Sequence, residues 1–310
     1  MKQVKWWLMA GLVLVTAGPA RPQQVPDPGF TPAIGKPEYQ PARGPRVLID
    51  AAHLNFHTAE GGYAPFAKLL RADGYRVDSN PDAFTAASLA RGDVLVIANA
   101  MHKQSSEDWA PLPTLPAFSD AEVGAVEQWV RGGGSLLLIA DHMPLAGHAA
   151  SLAAAFGVRF QNGFALDAKG AGLITFRRSD GSLVGGRIAN GRGAGERVDT
   201  VTTFTGQAFR LDPGVKAEPL LVFSEGYNLL LPEVAFQFSE RTPRIPAVHL
   251  LQGAIVYHGR GRVAVLGEAA MFSAQLTGPT KRPMGMNSPG ARENYRFALN
   301  LMHWLSGVLN

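Results

Sequence analysis

The stretch SDAEVGAVEQWVRGGGSLLLIADHM, Ser119 to Met143, decides the fold. Ser119 and Glu122 make a Ser-x-x-Glu capping box that opens a helix, and the run Gly132–Gly134 closes it. The next residues, SLLLIA, carry apolar side chains almost throughout and so read as a strand buried on both faces. That strand gives way at once to Asp141 and His142. A capped helix feeding an apolar strand is the repeat of a mostly parallel sheet covered by helices on both sides.

Outward from this unit the same pattern returns. Upstream lie the apolar strands RVLIDAA (Arg46–Ala52) and DVLVIANA (Asp93–Ala100), with the short strand YRVDS (Tyr75–Ser79) between them. YAPFAKLLRADG (Tyr63–Gly74) is a helix with Phe66, Leu69 and Leu70 on one face, ended by Gly74, and TAASLARG (Thr85–Gly92) is a shorter one. Downstream comes a small-residue helix, AGHAASLAAAFG (Ala146–Gly157). The chain closes on a helix in ARENYRFALNLMHWLSGVL, with Phe297, Leu301, Trp304 and Leu305 at packing spacing. The alternation predicts a doubly wound α/β domain over residues 46–310. It lapses at about 158–261, where strand-like runs predict a β-rich insertion that extends the main sheet. Within it, LITFRRSDGSLVGGR (Leu173–Arg187) reads as a hairpin turning on Asp180-Gly181.

The ends of the chain read differently. Residues 1–20 have the form of an export signal, with Lys2 and Lys5 before the apolar run WWLMAGLVLVTAG and the small-residue segment AGPA. That apolar run is too short to span a bilayer comfortably, and no later segment looks transmembrane. Residues 21–45, rich in Pro and Gly, predict an extended strap or tether. The mature protein is thus expected in the periplasm or outside the cell.

Composition excludes several classes. With no cysteine there are no disulfides, no thiolate metal sites and no cysteine nucleophile. Of the formal charge of +4, two units are Lys2 and Lys5, and the remaining basic residues are scattered. This is no nucleic-acid signature.

Four strands end in polar, chemically competent groups. The first delivers Asp50, His53, Asn55 and His57; the DVLVIANA strand Asn99 and His102; the SLLLIA strand Asp141 and His142, with His148 close by. RVAVLGEAAMFS delivers Glu268, followed by Ser273 and Gln275. Right-handed crossovers bring the carboxyl ends of parallel strands to one edge, where open α/β sheets bind ligands. Residues spread over the chain are therefore expected to converge.

Histidines and carboxylates in such a set suit a divalent metal, Zn²⁺ or Mn²⁺, which would turn a bound water into a nucleophile. The best ligand set is His53, Asp141, His142 and Glu268. No compact metal motif is present, and acid–base chemistry without metal competes equally. Asp141 and Glu268, on strands expected to be neighbours, form a carboxylate pair that also fits glycan hydrolysis or sugar binding. As catalytic candidates we take Asp141, His142, Glu268 and His53. The substrate-binding candidates are Asp50, Asn55, His57, Asn99, His102 and Asn287. Ser135 stands at the wrong end of its strand for a nucleophile. GRGAGE, from Gly191, lacks the strand and helix of a dinucleotide loop and reads as a plain loop. The long segment Thr277–Phe297 reads either as a lid carrying Lys281, Arg282, Asn287 and Asn294 over the crevice, lined by Met284 and Met286, or as a surface loop.

The segments VLIDAAHLNFHT, DVLVIANAMH, GGGSLLLIADHMP, GEAAMFSAQ and NYRFALNLMHWLSG resemble exported bacterial proteins of the DUF4350 kind. In layout the chain is similar to the class I glutamine amidotransferase-like fold, which includes the trehalose-utilisation (ThuA-like) proteins. The resemblance covers about 46–157 and 262–310 and implies a flavodoxin-like sheet. The amidotransferase reaction does not carry over, because it needs a cysteine at the turn where this chain has Asp141 and His142.

Two functional expectations follow. The first is an exported hydrolase-like enzyme, metal-assisted or not, acting on a carbohydrate or cell-envelope compound. The second is a non-catalytic module binding a glycan or small ligand with the same residues. A scaffold for envelope partners is a third.

Overall fold

A computed structural model describes residues 24–32, 34–105 and 112–310; the expected export signal lies outside them. Nine strands form the main sheet, numbered here in chain order. They are β1 (Arg46–Asp50), β2 (Arg76–Asn80), β3 (Val94–Ala98), β4 (Ser135–Ile139), β5 (Val158–Phe160), β6 (Phe209–Leu211), β7 (Ala217–Val222), β8 (Leu251–His258) and β9 (Gly261–Leu266). Their order is β2-β1-β3-β4-β9-β8-β6-β5, with β7 added against β8. The strands from β2 to β9 along that order pair in parallel, and those beyond β9 pair antiparallel. The protein is a mixed α/β fold built on a large, mainly parallel sheet with several antiparallel additions.

Alternation along the parallel strands sends side chains into two cores. Val47, Ile49, Val96, Leu137 and Ile139 pack with helix α1 (Ala64–Ala72) and the last helix, α3 (Asn294–Leu305). Leu48, Leu95, Ile97, Leu136 and Leu138 pack on the other face with helix α2 (Asp120–Arg131) and with Leu152 and Ala153. Strands buried on both faces have no polar face to show, which is why they read as unbroken apolar runs.

Local chemistry sets the helix ends. Pro65 opens α1, and Ser119 and Glu122 make both bonds of the expected capping box on α2. After α1 the chain turns at Gly74 with φ +92°, where an added Cβ would meet the Tyr39 carbonyl oxygen at 2.4 Å. Only glycine suits both the dihedral and the space.

Between β5 and β8 the chain makes two smaller sheets besides its additions to the main one. One joins Phe164–Asp167, Tyr227–Leu230 and Arg244–Pro246; the other pairs Leu173–Arg177 with Thr200–Phe204. The expected hairpin on Asp180-Gly181 is therefore corrected. Gly181 does turn the chain with φ +78°, but Leu173–Arg177 takes its ladder from Thr200–Phe204, and Leu183 makes an isolated bridge to Leu221 instead. The small-residue helix is two short pieces, Leu145–His148 and Ala150–Ala155.

The strap is docked along its described length. Gln24–Pro26 pairs antiparallel with Ala274–Thr277, and the Tyr39 ring meets Tyr75 edge-on at 5.1 Å. Among the described residues no helix is long and apolar enough to cross a membrane.

Candidate functional site at the carboxyl edge

The carboxyl ends of β1, β3, β4 and β9 do share one edge, but their polar residues separate into two clusters. The first is built from the β1 loop. Asp50, fully buried, accepts hydrogen bonds from the Ala52 amide at 3.1 Å and from Asn55 Nδ2 at 3.0 Å. Asn55 Oδ1 in turn accepts from the His53 amide at 3.1 Å, so Asp50, His53 and Asn55 knit the loop into one turn. His53 Nδ1 is 2.9 Å from Asp50 Oδ2, and its Nε2 is 2.8 Å from Glu122 Oε1. The ring lies between Phe84 and Phe118, with centroids 4.6 and 4.8 Å away.

Carboxylates only accept, so the arrangement is satisfied by a doubly protonated imidazolium donating at both nitrogens. Burial opposes that charge, but the bonds to Asp50 and Glu122 outweigh it and raise the His53 pKa. Burial also works against the Glu122 carboxylate, but the bonds from His53 and Ser119 bring it down to about 2. An imidazolium has no lone pair to offer, so in this state both His53 nitrogens are engaged with carboxylates and neither is open to a metal. The partner that sequence reading missed is Glu122. Its position in a capping box was visible; its reach to His53 was not.

The second cluster lies at β4 and β9, neighbours in register with Ile139 opposite Leu266. The Asp141 carboxylate accepts from the His142 amide at 2.7 Å and, more distantly, from the Ala269 amide at 3.4 Å. Behind it, Asn99 holds a left-handed backbone, φ +51°, and its Oδ1 accepts from the Asp141 amide at 2.9 Å. Glu268 is fully buried, and each oxygen accepts a backbone amide, from Ala270 at 2.7 Å and Met271 at 2.8 Å. Burial, then the charge of Asp141, pushes its carboxyl well above the usual carboxylate range. Burial beside Asp141 thus favours the protonated form of Glu268.

His142 stands at the rim of this cluster. Its Nδ1 donates to the Met143 carbonyl at 2.9 Å, and its Nε2 lies 4.0 Å from Asp141 Oδ1. The ring stacks on Phe164 at 4.5 Å and meets Phe236 edge-on at 4.9 Å; Phe238 meets Phe164 at 5.0 Å. Phe236 and Phe238 are 54% and 44% exposed, so aromatic surface reaches solvent beside the His142 ring.

The remaining candidates fall elsewhere. His57 is buried and stacked on Tyr63 at 4.5 Å, burial pushes its pKa down to about 3, and Gly62 closes over its Nδ1, which has no partner. It is packing, not a ligand-binding group. His102 accepts the Gln104 amide at 3.2 Å. Asn287, expected to orient substrate, instead donates to Asp27 Oδ2 at 2.9 Å and to the Gln275 carbonyl at 3.0 Å, pinning the strap. The segment Thr277–Phe297, read as either a lid or a surface loop, begins in a hairpin of Ala274–Thr277 with Arg282–Gly285 and runs on into α3. Ser135 Oγ donates to the Leu305 carbonyl at 2.7 Å.

The four-residue metal set is corrected as well. Among the described residues no group of three or more His, Asp or Glu side chains is placed to hold a metal ion. His53 belongs to the first cluster, with both nitrogens committed, while Asp141, His142 and Glu268 belong to the second.

No protein-family model matches the chain, and no curated protein matches it. Solved structures do. The domain described as the mmIFT52 N-terminal domain aligns with 16% identity over 84% of this chain and 97% of its own, with a TM-score of 0.58. The two share a fold. A putative ThuA-like protein from Bacteroides uniformis aligns at 13% identity over 89% of this chain and 94% of its own, TM-score 0.45. A cytoplasmic protein, STM3548, from Salmonella typhimurium aligns at 12% over 84% and 98%, TM-score 0.47.

Proposed function

We propose that the protein is an exported binding module of flavodoxin-like, doubly wound build, whose carboxyl edge holds a hydroxyl-rich ligand, a glycan or polyol of the cell envelope. One observation carries the reading. The His142 ring, 4.0 Å from the Asp141 carboxylate, shares a rim with the exposed Phe236 and Phe238. Carboxylate oxygens accept from sugar hydroxyls, and aromatic faces cover the apolar faces of pyranose rings. Phe236 holds its place with φ +65°, a costly backbone for an aromatic residue, and Leu54, Asn99 and Asn162 share that conformation on nearby loops. Strain of this kind gathers where a surface is shaped for a ligand. The sequence resemblance to exported DUF4350-like proteins agrees with this placement.

The test is calorimetric titration of chitotriose and maltotriose into residues 24–310. Binding to either is expected, with Phe236→Ser and Asp141→Asn each weakening it tenfold or more. If neither sugar binds, or both variants bind as the wild type does, the reading fails.

A second reading, a hydrolase of the same substrate class, draws on the Asp141–Glu268 pair, in which burial and the neighbouring charge raise the Glu268 carboxyl. Both Glu268 oxygens are occupied by backbone amides. Asp141 alone would then face substrate. New reducing ends from bound oligosaccharide, lost in Asp141→Asn, would favour this reading over simple binding.

A further inference from the structure

A cavity of about 500 Å³ lies on the α1/α3 face, where the strap, the end of α1, the insertion and α3 meet. Its wall follows α3 from Tyr295 to His303. The volume is that of a small-molecule site.

The ion pairs lining the cavity are unequal in closeness. Its anions are spent: Asp73 Oδ2 is 2.7 Å from His303 Nε2 and its Oδ1 accepts the Glu38 amide at 2.9 Å. Glu196 is held by Arg192 at 2.5 Å, and Arg192 also reaches Glu38 at 2.7 Å. Two cations remain. Lys36 makes no hydrogen bond or ion pair among the described residues, and Arg296 has only Glu293 at 3.7 Å, beyond hydrogen-bond reach. The Arg296 guanidinium lies 5.4 Å from the Tyr295 ring centroid, which holds its plane at the wall. His303 is 5% exposed, and its Nδ1 has no partner, so the wall also carries an unsatisfied polar atom.

We propose that this cavity is a second ligand site, for a small organic anion carrying a carboxylate or phosphate group. Lys36 and Arg296 hold the anion, and the body of the ligand lies against Tyr295. The site is independent of the carboxyl edge. Lys36 has no partner among the described residues, and Arg296 is held more loosely by Glu293 than Arg192 is by Glu196 and Glu38, so both can turn to an incoming anion.

Titration of glucose 6-phosphate, glucuronate and inorganic phosphate at constant ionic strength tests this. At least one is expected to bind saturably at one site. The two organic anions distinguish phosphate from carboxylate recognition, and inorganic phosphate shows whether the organic body adds affinity. Lys36→Met and Arg296→Gln are each expected to weaken binding at least fivefold. Both altered side chains are partly or fully exposed, and unchanged melting without ligand would confirm intact folds. Should one variant fail to fold, the other carries the test. The proposal is overturned if no anion binds saturably, if sodium chloride at equal ionic strength gives the same signal, or if both variants bind like the wild type.

Discussion

His53 Nε2 lies 2.8 Å from Glu122 Oε1, and the same Glu122 uses Oε2 to accept from the Ser119 amide at 3.0 Å and close the capping box of α2. One carboxylate thus fastens a loop of the sheet to the start of a helix on its face. The helix N-terminus favours the negative charge on its own account.

Replacing Glu122 by Gln should reveal this coupling as a pH window. The His53 pKa is raised in the fold, so its contribution is complete below its ordinary value of 6.5 and fades as pH rises through the folded value. Glu122 is depressed to about 2, so its contribution is complete above 4.5 and fades as pH falls through that lower value. Wild type and Glu122→Gln should differ most between pH 4.5 and 6.5, by about 1–3 kcal/mol for a part-buried charged hydrogen bond. Urea unfolding across pH 3–9 would show it; a difference that does not vary with pH would refute the buried imidazolium.

Glu268 should act with the opposite meaning. Its folded pKa is raised, so above 4.5 the folded state keeps a proton that the unfolded chain releases, and stability falls as pH rises. One such proton gives a slope of about 1.4 kcal/mol per pH unit. Glu268→Gln should flatten this slope above pH 4.5 while itself costing about 1–3 kcal/mol, because an amide cannot accept from both Ala270 and Met271. An unaltered slope would show that Glu268 is ionised in the fold.

The strap offers a third outcome. Asn287→Ala removes the donor that holds Asp27 and the Gln275 carbonyl together. Limited proteolysis should then cut within residues 24–36 several-fold faster than in the wild type, with midpoint denaturant little changed, since the core does not depend on that bond. Equal cleavage rates would mean the strand pairing with Ala274–Thr277 holds the strap alone.

Much of the fold was legible because the decisive strands are apolar throughout. Leu136–Ile139 and Val94–Ala98 could hardly be anything but central. Ser119 and Glu122 likewise announced a helix start from four residues of sequence. The misreadings share a cause, which is partners remote in sequence. Glu122 was accounted for locally, and nothing in its neighbourhood points 69 residues back to His53. Asp180-Gly181 turns as expected, yet Ile174 and Phe176 are both buried in the larger core, and that packing chose Thr200–Phe204 as the partner strand. For His57, residue type suggested chemistry while burial against Tyr63 made it packing. At the site itself, Asp141 and Glu268 could be placed together from strand order. The exposed Phe236 and Phe238 arrive from an irregular loop that carried no periodic signal.

Among the described residues the strand β2 pairs only with β1, and so leaves one row of backbone amides and carbonyls without a ladder partner. Such a row is a template on which a second chain could add a strand. Its sequence answers that hazard. Arg76 and Asp78 are exposed on it, and Arg91 reaches across to Asn80 Oδ1 at 2.8 Å, capping the far end. An incoming strand would have to strip water from both charges and dislodge that guanidinium. The sheet can therefore remain open at this border without growing into polymers.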